Sequence, residues 1–167
     1  MPSLISISDF NGEYQLQIDN ATTTKFNFVR DNHETTYIYK LLGVELGKLF
    51  IADLNVSGVP VTARFLAIYN VFAEDSDYGI IQSKGMKQFM KGILWFYYAR
   101  NNRYIIATGG NKVNKDQNSD ELTDGLVLAR IYNDSVKTAD AIQWYICDNL
   151  DVYPEYNGQD LDCVIGL

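Results

Sequence analysis

The sequence predicts a mainly α protein: a helical bundle with one long C-terminal helix, a long exposed loop and a short β-like N-terminal arm. Two observations carry this. From Lys84 to Arg100 the residues Met86, Phe89, Met90, Ile93, Phe96 and Tyr97 repeat at spacings of three and four, with Lys84, Lys87 and Lys91 on the other side. From Ser119 onward a second stripe runs through Leu122, Leu126, Ala129, Tyr132, Val136, Ala139, Ile142, Ile146 and Leu150. At about 1.5 Å per residue, some thirty residues make a helix of roughly 45 Å, long enough to project from a compact body of this size.

The chain divides into an arm (1–20), a helical core (21–150) and a tail (151–167), within one domain spanning all 167 residues. In the arm, Ile5 and Ile7 alternate with serines, and Tyr14, Leu16 and Ile18 alternate with polar residues, as in a half-buried strand. Asn11-Gly12 between them marks a hairpin, or else a turn opening a small helix near Asp9. A helix over about 26–42 follows, with Phe26, Val29, Tyr37, Ile38, Leu41 and Leu42 on one face and Gly43 as its stop. Two short helices, about 45–54 and 61–70, present Leu46, Leu49, Phe50 and Leu54, then Phe65, Leu66 and Tyr69. Both need packing partners, since helices of this length are marginal alone.

The acidic run Glu74-Asp75-Ser76-Asp77 reads as a surface loop. Leu94, Trp95 and Tyr98 widen the apolar stripe of the 84–100 helix almost all round, so its second half belongs at the centre of the fold. The segment 108–119 is polar and rich in glycine and asparagine, and reads as a long exposed loop. Its Asn111, Lys112, Asn114, Lys115 and Asn118 are the candidate partner-binding residues, the asparagine amides because they both donate and accept hydrogen bonds. The mixed polar and apolar ends, 1–20 and 151–167, are expected to order only against neighbouring subunits.

Composition narrows the function. Lys+Arg 14 against Asp+Glu 21 leaves a formal charge of −7, which disfavours tight binding to nucleic acid or anionic membranes. Met1 to Ser8 lacks the basic start and apolar run of a secretory leader, and the longest apolar run, Gly92 to Ala99, is far short of a membrane span. Cys147 and Cys163 are therefore expected as reduced thiols, Cys147 as a small packed residue within its helix.

The residues point to no catalytic group, cofactor or metal. His33, the single histidine, stands beside Glu34 with no nucleophile at a distinctive spacing, and reads as a surface or interface residue. Asp116 to Asp120 resembles the start of a calcium loop, but Glu121 replaces the turn glycine and Val127 the bidentate glutamate, so these acids read as a helix cap. Gly109-Gly110-Asn111-Lys112 has the wrong spacing for a phosphate-binding loop. The pairs Asp75/Asp77 and Asp160/Asp162 read as solvated charges. The cluster Trp95, Phe96, Tyr97 and Tyr98 reads as core packing, with ligand stacking as its alternative.

Several groups of residues together resemble a known family. They are Leu4-Ile5 to Asp9-Phe10; Tyr39 to Gly43 with Leu46 and Leu49-Phe50; Gly85, Phe89 and Lys91 to Tyr98; Gly110-Asn111-Lys112 to Asn118-Ser119; Tyr132-Asn133-Asp134; Ala141 to Ile146; and Tyr153 to Gly158. The chain resembles a family of small proteins from Bacteroidetes and their phages, including the crAss-like phages. More loosely, it is similar to the helical head-to-tail connector (adaptor) proteins of tailed phages. The resemblance implies a virion structural protein with no reaction to catalyse: a homo-oligomeric neck ring, commonly twelvefold, between portal and tail. Its partners would be the portal and other neck or tail rings, with genomic DNA passing through the channel unbound. The location implied is the virion, with the host cytoplasm during assembly. The alternative from another class is a small soluble helical enzyme or ligand-binding domain with an aromatic pocket.

Overall fold

A computed structural model describes residues 2–16, 19–76, 79–102, 104–107, 110–113 and 121–162. The architecture is mainly helical. Helices α1 (Asn20–Leu42), α2 (Val44–Asp53) and α3 (Ala63–Tyr69) precede the strands β1 (Phe72–Ser76) and β2 (Gly79–Ser83). Helix α4 (Gly85–Asn102), strands β3 (Tyr104–Ala107) and β4 (Gly110–Val113), and the 28-residue helix α5 (Glu121–Asp148) complete the order. Each strand pair is a separate antiparallel two-stranded sheet.

Helix α4 is the centre, in contact with α1, α3 and α5. Its Met86, Phe89, Met90, Ile93 and Leu94 are wholly buried, whereas in the second half Phe96 is buried but Trp95, Tyr97 and Tyr98 are only partly so. The first half of α4, and not the expected second half, is the more deeply buried, because the later rings reach the edge of the core. From Leu128 to Ile146, α5 turns Ile131, Tyr132, Val136, Ala139 and Ile142 into the same core. This stretch does not project, because its apolar stripe is covered along its length. The expected stripe fails at both ends: Leu126 is 65% exposed and Leu150 is 50% exposed. Cys147 is also exposed, not packed, one step beyond the last inward residue, Ile146.

Helix α1 begins six residues before the expected start, because Asp19 accepts the Thr22 N–H at 2.7 Å and caps it. The arm is corrected more deeply. No strand forms among its described residues; two 3-10 turns, Ile7–Asp9 and Gly12–Tyr14, replace the alternation, the first of them at Asp9, where a small helix was the alternative to a hairpin. Leu4, Ile5, Phe10 and Tyr14 are buried in the chain's own core, so the described arm is ordered by its own fold and not by a neighbour. Glu34 holds it there. This buried carboxylate on α1 accepts the backbone N–H groups of Leu4 and Ile5, each at 3.1 Å, and the Ser3 hydroxyl at 3.0 Å.

The described tail is likewise part of the fold. Tyr153 is buried and donates its hydroxyl to the Arg64 carbonyl at 2.6 Å, while the Arg64 guanidinium pairs with Glu155 at 3.2 Å. Further along, the Gln159 N–H reaches the Lys40 carbonyl at 2.7 Å and the Asn157 N–H the Leu42 carbonyl at 3.4 Å. The Gln143 amide on α5 donates to the Leu41 carbonyl at 3.2 Å and to the Gln159 carbonyl at 2.9 Å. The last carbonyls of α1, which have no partner within the helix, are therefore capped by the tail and by α5. Glycine makes the approach possible: a Cβ on Gly43, where φ is +80°, would lie 2.7 Å from the Asn157 backbone.

Two expected loops carry strands. Glu74 to Ser76 lies within β1, paired with β2 from Phe72↔Ser83 to Ser76↔Gly79. Within the expected loop 108–119, Gly110 to Val113 pairs with β3, Ile106 opposite Asn111 and Ile105 opposite Lys112. Tertiary context, and not propensity, decides such short strands: Phe72 packs on Tyr145 of α5, with ring centroids 4.8 Å apart.

Candidate interaction groove

The predicted partner-binding residues are split. Asn111 and Lys112 sit on β4, a strand and not a loop, whereas Asn114, Lys115 and Asn118 lie outside the described residues. The Asp116 to Asp120 acids and Cys163 lie outside them as well. Among the described residues, no group of three or more metal-ligating side chains converges.

The aromatic cluster on α4 packs largely against the chain's own rings. Phe96 is buried against Tyr132 at 4.8 Å, and Trp95 faces Tyr14 at 6.2 Å. Tyr97 stacks on His33 at 3.8 Å with only 11° between the planes. Its hydroxyl also lies 2.7 Å from that of Tyr37, which is 3.3 Å from the hydroxyl of Tyr132. Burial, then these two hydrogen bonds, push the Tyr37 phenol far above its ordinary value, so it stays protonated. His33, expected as a surface or interface residue, is half-buried; burial, then the Lys40 charge, lower its pKa. Tyr98 differs, lining an open groove of about 560 Å³ with Phe28, which is 67% exposed.

A second surface feature was not legible in the sequence. Where α4 begins, at the base of the β1–β2 hairpin, two adjoining depressions of about 480 and 370 Å³ share Val71 and Lys84 in their walls. Four lysines border them, Lys84, Lys87, Lys91 and Lys137, against the carboxylates of Asp9 and Asp134 among the described residues. The helical period places Lys87 and Lys91 one turn apart on α4, whose apolar face is committed to the core, and Lys84 immediately precedes the helix. Lys137 comes from α5, some fifty residues later, which is why spacing alone could not assemble the group.

The charges in the groove are unequally matched. Lys87 pairs with Asp9 at 2.6 Å. Burial opposes its charge, but the Asp9 hydrogen bond and charge outweigh this and raise its pKa. Lys91 rests 5.6 Å from the centre of the Tyr14 ring; burial, and then the neighbouring Lys87, lower its pKa against the pull of Asp9. One carboxylate thus serves two ammonium groups. Lys137 meets Asp134 at 3.4 Å, an exposed pair of small energetic weight. The groove therefore carries excess positive charge on a chain whose total is −7.

Beside the groove, β1 exposes Ala73, Glu74 and Asp75 in succession, and Ile80 opposite Asp75 on β2 is 67% exposed. In a two-stranded sheet each strand keeps one unpaired edge, a surface that pairs readily with other chains. The fold and the groove define a helical unit whose own core is closed and whose conspicuous surfaces face outward. Compared with protein-family models, curated proteins and solved structures, the chain matches none.

Proposed function

We propose that the chain is a structural subunit of a homo-oligomeric ring, and in particular of the neck ring joining portal and tail in a tailed bacteriophage. The observation that supports self-association is the pairing of unlike surfaces on one chain: a lysine-bordered groove at the hairpin base and an acidic, partly apolar hairpin beyond it. Unlike surfaces that fit one another give heterologous, head-to-tail contacts, and such contacts close into rings when the rotation per subunit allows. The neck location, the twelvefold count and the portal as neighbour rest on the sequence resemblance. In this reading the β3–β4 hairpin, with Asn111 and Lys112, meets the adjacent ring, and the net acidic charge lets DNA pass without phosphate contacts.

Electron microscopy of the purified chain, alone and mixed with a portal ring, tests the proposal. Closed rings that dock on the portal are the expected result. A chain that stays monomeric at high concentration and leaves the portal bare would overturn it.

One observation favours a second reading, ligand binding: the groove between Phe28 and Tyr98 is open and largely apolar, as small-molecule sites often are. A fragment screen by NMR, with Phe28→Ser as control, separates the two readings.

A further inference from the structure

We infer that the lysine-bordered groove of one copy receives the β1–β2 hairpin of the next, with Glu74 and Asp75 set among Lys84, Lys91 and Lys137. The inference rests on the ring reading and names its contact. Charge is the first argument. The groove has more ammonium groups than carboxylates, and β1 exposes two successive acids, Glu74 and Asp75, one on each face of the strand. The groups facing the groove include two of opposite sign to the lysines, Asp9 and Asp134, each already held by a lysine, Lys87 and Lys137. Lys84 and Lys91 carry the surplus.

Apolar matching is the second argument. Val71 in the groove wall is 76% exposed, and Ile80 on the hairpin is 67% exposed, so the docked contact would cover apolar surface on both sides. Geometry is the third. The groove lies at the foot of the hairpin and the acids lie further along it, Glu74 and Asp75 being two and three residues from Phe72, or about 7–10 Å at the strand rise. The hairpin lies along α5 of its own chain, so its acids cannot turn back onto the foot of the same hairpin, whereas the next copy can present them there. The ladder to β2 pre-forms the inserting element, which reduces the ordering cost of docking.

The experiment measures self-association of the full chain by analytical ultracentrifugation. Three variants accompany the wild type: Glu74→Lys/Asp75→Lys, Lys84→Glu/Lys137→Glu, and the four changes combined. All altered side chains are on the surface, and circular dichroism checks that each variant folds. Each charge-reversed pair is expected to weaken association about tenfold or more, while the combined variant regains most of it. Wild-type association should also weaken at ~0.5 M salt, where exposed charges are screened. If the wild type assembles but neither charge-reversed pair weakens it, the hairpin contact is wrong and the ring reading stands. The contact is equally overturned if both pairs weaken association and the combination regains nothing. A wild type that never assembles removes the ring reading and this contact with it. Saturable binding of inorganic phosphate at Lys84, with no self-association, would reassign the groove to a small anion.

Discussion

The carboxylate of Glu34 holds the backbone N–H groups of Leu4 and Ile5, each at 3.1 Å, across some thirty residues of sequence. Burial raises the pKa of Glu34, and the hydrogen bonds from Leu4, Ser3 and Ile5 oppose that rise without cancelling it. A buried carboxyl of this kind is tolerated because it satisfies two backbone donors that have no strand to pair with. Replacing Glu34 with alanine leaves both donors buried and unmet. The expected cost is about 2–4 kcal/mol in urea unfolding, with faster proteolytic cleavage before residue 15. An unchanged midpoint would show that the arm is not held by this clasp.

His33 lies 3.8 Å from the Tyr97 ring in a stacked pair, and its pKa is lowered from the ordinary 6.5, first by burial and then by Lys40. A depressed base binds fewer protons in the folded than in the unfolded state. Its stabilising contribution is therefore in place above about 6.5 and is lost as pH falls through the lower folded value. Thermal unfolding followed between pH ~7 and ~5 should show a falling midpoint, with a shallower slope in His33→Gln. Equal slopes in the two proteins would contradict the assignment.

Gly92 on α4 faces Ser135 on α5, and a Cβ added there would overlap the Ser135 hydroxyl, which donates to the Ile131 carbonyl at 2.9 Å. Gly92→Ala is expected to destabilise by about 1–3 kcal/mol, because two tightly packed helices must separate. Adding Ser135→Ala removes the overlapping oxygen and should restore part of the loss, a coupling that a double-mutant cycle reads directly.

Gln143 donates one hydrogen bond to the end of α1, at the Leu41 carbonyl, and another to the tail, at the Gln159 carbonyl. Gln143→Leu keeps the volume and removes both, so a loss of about 1–3 kcal/mol is expected in urea unfolding. Deleting the chain after residue 150 should cost more than this, since it also removes buried Tyr153 and the Arg64–Glu155 pair. A truncated chain with the full-length unfolding midpoint would show that the tail is only an appendage.

Helix identity was legible in the sequence because α1, α4 and α5 repeat their apolar residues at the helical period over many turns. Phe26, Val29, Tyr37, Ile38, Leu41 and Leu42 all proved buried, as did Met86, Phe89, Met90 and Ile93. Such a pattern is local, and one face of each long helix must leave water wherever the helix ends up. The ends of these elements were not legible. Leu126 and Leu150 continue the α5 stripe but lie beyond the stretch that α4 covers, so the period alone overstates the core.

Tertiary structure decided the rest. The role of Glu34 is set only when the arm crosses it, and the tail, expected to order against neighbours, is held when its N–H groups meet the carbonyls at the end of α1. The run beginning at Glu74 reads as a loop because acids disfavour strands, yet β2 and α5 supply its pairing and support. The groove needs Lys137 brought from α5 to Lys84 and to Lys87 and Lys91 at the start of α4. The physical reason is the same in each case. Periodicity records what one element must bury, whereas hydrogen bonds and charge clusters between distant segments depend on chain placement, which neighbouring residues do not encode.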